Sequence, residues 1–202
     1  MKYVSVDIET TGLDRITNDI IEFAAVIDDL NDPKPIDELP VFHAYIEKEN
    51  RIYVGDPFAL SMHQKIFEIL ACPGSHEDKQ FCTVNSLMYA FSNFLHQHKY
   101  PFNEEKNKFT IIPAGKNFGS FDRPFLETKV PKEHWHDIYF HHRILDPAML
   151  YFNPAIDDIL PDTKTCMERA EIEGEVEHTA EADAKVVIKL LRRKYCGPWN
   201  TK

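Results

Sequence analysis

The chain has 202 residues, 43 % of them hydrophobic and 28 % charged, which suits one ordinary globular domain over residues 1–202 with a substantial core. No run of about 18 apolar residues occurs, so no membrane-spanning helix is expected; neither a signal peptide nor a transit segment opens the chain, and the cytoplasm is the expected compartment. A net charge of −10 argues against a broad basic face for gripping duplex phosphates, but not against binding through cations, which bring their own positive charge.

Taken in chain order, Tyr3–Ile8 is rich in β-formers and Ile20–Ile27 continues the pattern after the turn residues Thr11-Gly12-Leu13-Asp14 and Thr17-Asn18-Asp19. A third strand is expected at Val41–Ile46, beyond the breaker-rich Asn31-Asp32-Pro33-Lys34-Pro35, and three strands with short links predict an antiparallel meander. Pro57–Phe67 reads as a helix with Pro in its first turn, and Thr83–His98 carries Leu87, Phe91, Phe94 and Leu95 at helical spacing. A strand at Phe109–Ala114, helical material near Asp122 and a short strand around Ile144-Leu145-Asp146 follow. The last helices are expected near Thr165–Ala170 and over Thr179–Lys194, where Ala180, Ala184, Val187, Ile188 and Leu191 share a face. The order predicts an α/β fold, a mixed sheet with three antiparallel strands first and helices flanking it. Cys72, Cys82, Cys166 and Cys196 form no metal or redox pattern and read as plain thiols.

Three segments carry chemistry. Asp7 and Glu9 alternate along a strand and so share one face, while Val6 and Ile8 point into a core. Two adjacent carboxylates repel, and a divalent cation with oxygen ligands relieves that repulsion; a solvated strand end is the plainer account. Asp122 follows the turn Gly115–Phe121 and stands at a helix start, where the macrodipole alone favours an acid. In His178-Thr179-Ala180-Glu181-Ala182-Asp183, Thr179 suits an N-cap, leaving His178 in the loop before it, just after the acidic stretch Glu171–Glu177 that is expected to be movable, and Asp183 in the first turn. A histidine beside a fixed carboxylate is what a general base near a metal needs, although a lone loop histidine is more often a surface residue.

Together, Asp7-Ile8-Glu9-Thr10-Thr11-Gly12-Leu13, Asn117-Phe118-Gly119-Ser120-Phe121-Asp122-Arg123-Pro124-Phe125-Leu126 and His178…Asp183 resemble the DEDDh 3′→5′ exonucleases, the group of polymerase proofreading subunits, RNase T and oligoribonuclease. The likeness covers nearly the whole chain and implies a ribonuclease-H-like fold. It implies further that Asp7 bridges two metals, that Glu9 and Asp183 join it on the metal that activates water, that Asp122 supports the second, and that His178 takes the proton. Two Mg²⁺ ions are implied, with Mn²⁺ as a substitute. Phe58–His63 is similar to the family segment that lies against terminal nucleotides, which makes Leu60 and Met62 candidate base contacts; an amphipathic helix burying them is the competing account. Thr10, Asn117, Phe118 and Phe121 complete the candidate substrate residues, the two phenylalanines being equally suited to a core, while His63 is expected at the surface. Asp146 reads as the N-cap before Pro147, with outer support of the acidic site as the alternative. The implied partner is a single-stranded 3′ end, with DNA favoured; short RNA and a silent nucleic-acid-binding module are the alternatives, and a homodimer or polymerase partner is left open.

Overall fold

The computed structural model describes residues 1–174 and 177–196. The alternating segment Lys2–Thr10 forms β1, Ile20–Asp29 forms β2 and Val41–Ile46 forms β3, antiparallel in succession as the pattern predicts. Two helices follow, α1 at Pro57–Met62 and α2 at Gln64–Ala71, then β4 at Phe81–Cys82 and α3 at Leu87–Gln97. Beyond these lie β5 (Phe102–Asn103), β6 (Lys108–Ile111), β7 (Pro113–Ala114), α4 (Asp122–Lys129) and β8 (Ile138–Phe140). The last three helices are α5 (Pro147–Tyr151), α6 (Thr163–Ala170) and α7 (Ala180–Tyr195). Five strands make one mixed sheet in the order β4-β3-β2-β1-β7, and β5-β6-β8 make a smaller one.

The main sheet has two apolar faces because both are covered. Val4, Val6 and Ile8 of β1 pack with Phe23, Phe91 and Phe125 toward α3 and α4. Tyr3 and Val26, on the other face, meet Ala184, Val187, Ile188 and Leu191 of α7. The far end of α7 is fixed by a buried charge: Arg192 donates to Asp28 at 2.5 and 3.1 Å, and the Tyr3 hydroxyl donates to the same carboxylate at 2.7 Å. Tying all three groups together satisfies charges that would be costly alone.

Four sequence expectations are corrected. The single helix over Pro57–Phe67 is two, broken at His63, where the backbone leaves the helical region and the imidazole turns inward. The helix expected from Thr83 starts at Leu87, because Thr83–Ser86 form a turn closed by the Ser86 hydroxyl, which accepts from the Thr83 amide. The strand over Phe109–Ala114 is also two, in different sheets, since Pro113 has no amide with which to continue the β6 ladder. The segment near Ile144–Asp146 makes only an isolated bridge between Leu145 and Ala114, and the neighbouring strand is instead β8. Of the acidic loop expected to be movable, Glu175 and Val176 lie outside the described residues.

Candidate active site

Asp7 and Glu9 project from β1 on the face that carries α7, opposite Ala24 and Glu22 of β2. A register shift after Glu9 ends the regular pairing there, as bulges beside functional residues often do. Asp122 is the first residue of α4, and its carboxylate accepts the Ile8 amide at 3.1 Å, so α4 is pinned to β1 between the two strand carboxylates. Asp183 sits in the first turn of α7, whose N-cap is Thr179: its hydroxyl accepts from the Ala182 amide at 3.4 Å. Three elements distant in sequence thus bring their acids to one cleft of about 470 Å³, lined also by His178, Lys116, Asn117, Ser120 and Phe121.

One carboxylate oxygen from each of Asp7, Glu9 and Asp183 lies within 4.8 Å of the other two. Asp122 lines the cleft outside that triplet. Such crowding costs charge. Burial, then the neighbouring Asp122, Glu9 and Asp183, push the Asp7 carboxyl well above the usual carboxylate range. Burial with Asp183 lifts Glu9 to about 8, and burial lifts Asp122 to about 7. Asp183 rises to about 6, burial outweighing the attraction of His178. Moreover, Asp183 Oδ1 is buried without a hydrogen-bond partner among the described residues. Converging hard oxygens, raised proton affinities and an orphan acceptor are the donor chemistry of Mg²⁺ or Mn²⁺, so the residues fit divalent cations.

His178 is exposed on the rim, with φ at 52°, a left-handed conformation that costs a residue other than glycine some strain. Of the candidate substrate residues, Asn117 and Phe121 line the cleft, and the Asn117 amide is held by Asp146 at 3.0 Å. Asp146 also caps α5 as expected, accepting from the Ala148 amide at 2.8 Å. Met62 is exposed and Leu60 half-buried on α1. Thr10 is buried, its hydroxyl donating to Gly12 O within the turn. Phe118 is corrected: its ring is wholly buried, edge-on to Phe140 at 5.2 Å, with no face left for a base. His63 is corrected likewise, being buried with Nε2 at 3.3 Å from Glu9 and Nδ1 without a partner among the described residues.

Sequence reasoning missed Lys116, Ser120 and Glu22. The first two lie in the turn between β7 and α4, where nothing but three-dimensional closure marks them. Glu22 carried a signal, since a single acid in the apolar run Ile20–Ile27 must find partners when buried.

An acidic cleft beside the end of β1, with a histidine on its rim, is suited to holding a divalent cation next to a proton acceptor. The model of the RNase_T exonuclease family matches residues 4–191, and the chain belongs to that family, as its likeness to DEDDh 3′→5′ exonucleases indicated. No curated protein matches in sequence. Among solved structures, the fold is similar to the nuclease domain of 3'hExo, a DEDDh family member, bound to rAMP, with TM-score 0.63 and 14 % identity over 95 % of this chain and 90 % of that one.

Proposed function

We propose that the chain removes nucleoside monophosphates stepwise from the 3′ ends of single-stranded nucleic acid, with Asp7, Glu9, Asp122 and Asp183 holding two Mg²⁺ ions. The observation that carries this reading is the meeting of three carboxylate oxygens within 4.8 Å, with a fourth buried carboxylate in the same cleft. When bound, the cations supply the positive charge that offsets the scissile phosphate and acidify water at neutral pH. The chain's own residues do the rest. His178, on the rim beside Asp183, accepts the proton that water loses as its oxygen bonds to phosphorus. The bond from phosphorus to the 3′ oxygen of the preceding nucleotide breaks, and that oxygen leaves and takes a proton from solvent water to become a hydroxyl. Lys116 offers a cation to a phosphate oxygen, and the half-buried Phe121 offers an apolar surface to a base. Asn117, exposed at the cleft, places a side-chain amide where a backbone phosphate passes.

DNA is the favoured substrate. RNA is the second reading, and the rAMP in the similar 3'hExo domain speaks for it. Matched 5′-labelled DNA and RNA oligomers, digested with Mg²⁺, Mn²⁺ or a chelator, test both points. A ladder of products shortened from the 3′ end, lost on chelation and in Asp7→Asn, is the expected result. Endonucleolytic fragments, or cleavage that survives chelation, would exclude the assignment.

A further inference from the structure

Glu22 is wholly buried, yet both its oxygens are occupied away from the cluster of Asp7, Glu9 and Asp183. Oε2 accepts the Ala180 amide, the first residue of α7, at 2.9 Å. Oε1 lies 2.5 Å from His43 Nε2, and the other ring nitrogen of His43 lies 3.1 Å from Glu181 Oε2. Lys185 closes the row on Glu181 at 2.7 Å. The sheet register explains the arrangement. Glu22 stands opposite Glu9 on one side and Tyr45 on the other, and His43, two residues before Tyr45, is its diagonal neighbour on the same face. Both ring nitrogens face carboxylate oxygens, so both carry hydrogen and the ring is a cation. Although burial opposes that charge, Glu181 and Glu22 push His43 up to about 9.

We infer that Glu22, His43 and Glu181 are positioning residues, a clamp that fixes the first turn of α7 and thereby sets Asp183 against Asp7 and Glu9. The inference rests on the metal-dependent reading of that cleft. The clamp takes hold at Ala180 and Glu181, three and two residues before Asp183, and at no residue that would ligate a cation. A pivot in that turn carries Asp183 and the neighbouring His178 together. Without the clamp the three-oxygen cluster loosens, while the other end of α7, held by Arg192 on Asp28, stays docked.

The test compares Glu22→Gln and Glu181→Gln with Arg192→Met, which removes the buried ion pair at the opposite end of the same helix. Glu22→Gln sets an amide donor against a ring donor, and Glu181→Gln is the milder, partly exposed change that keeps the test open should the first variant fail to fold. Mn²⁺ alone is the probe, its dissociation constant read by calorimetry or spin resonance. Loss of such outer support weakens metal affinity by about 10–100-fold. We expect that range for Glu22→Gln, a few-fold for Glu181→Gln, and less than twofold for Arg192→Met despite its lower melting temperature. Both Gln variants should lower kcat with KM for an oligonucleotide unchanged, and should speed amide exchange at Ala180–Asp183. Equal Mn²⁺ affinity in folded Gln variants, or an equal loss in Arg192→Met, overturns the clamp. A parent protein that binds no Mn²⁺ overturns the functional reading instead, and the exchange rates then judge the clamp by themselves: unchanged rates overturn it.

Discussion

Asp183→Asn should make the metal-free protein more stable while stopping hydrolysis. The Asp183 carboxyl rises from 3.8 to about 6, chiefly through burial. The folded state therefore holds a proton that the unfolded chain has released. The resulting handicap is small below about pH 4, grows as pH rises toward 6 and is complete above about pH 7. A displacement of that size corresponds to about 3 kcal/mol at pH 8. Solvent screening and the cost of burying an amide halve it, leaving a gain of roughly 1.5 kcal/mol for Asn. For a chain of this length that is a rise of about 3–6 °C in melting temperature. The new amide also offers donors to the carboxylates of Asp7 and Glu9, whose oxygens lie within 4.8 Å. Differential scanning calorimetry in chelator at pH 8 and pH 4 reads the effect, with an oligonucleotide assay beside it. A variant that melts below the parent at pH 8, or gains equally at both pH values, would refute the electrostatic account.

Metal binding should expel protons, because Glu9, Asp122 and Asp183 hold theirs up to about 8, 7 and 6 and ligating carboxylates are ionised. Mg²⁺ affinity should thus climb between pH 6 and pH 9, and calorimetry in buffers of different ionisation heat should register proton release at pH 7; a flat affinity profile would contradict it. His178→Ala should lower turnover by about 10²–10⁴-fold with Mg²⁺ affinity almost unchanged, whereas turnover within a few-fold of the parent would assign the proton transfer elsewhere. Phe118→Ala should cost about 3–5 kcal/mol of stability, since its ring is wholly buried in the main core. Phe121→Ala should instead raise KM for an oligonucleotide with a smaller loss in melting temperature, and the reverse pattern would exchange the two roles.

How far the chain could be read depends on the range of the forces involved. β1, β2 and β3 were legible because alternation in Lys2–Thr10 and runs rich in β-branched or aromatic residues in Ile20–Asp29 and Val41–Ile46 are local patterns. Asp146 and Thr179 were legible as caps for the same reason. The split at His63 was not, because what breaks the helix is a partner, Glu9, far back in sequence. Phe118 and Phe121 sit three residues apart in one turn, and local pattern cannot say which faces the core and which the cleft. Asp7, Glu9, Asp122, His178 and Asp183 came from motif likeness, and the fold brings all five to one cleft. Glu22 belongs to no such motif, and its value appears only once the strand register sets it beside Glu9.

The two ends of α7 show how the same face of a sheet serves stability and chemistry at once. At the C-terminal end, Arg192 neutralises Asp28 with the Tyr3 hydroxyl as a further donor, so the buried charge is matched and the helix is anchored. At the N-terminal end, His43 and Lys185 balance Glu22 and Glu181, but among the described residues no Lys or Arg pairs with Asp7 or Asp183, and Glu9 meets the buried His63, whose imidazole burial pushes below its usual range. A matched network there would hold the acids as firmly as Asp28 is held and leave nothing for a cation to gain. Burial and the unmatched neighbouring charge lift the Asp7 and Glu9 carboxyls, burial lifts that of Asp183, and Asp183 Oδ1 has no donor among the described residues. That deficit is the free energy a divalent ion recovers on binding, and it is why the acids must be held by neighbours such as Glu22 and His43 and not by direct pairing.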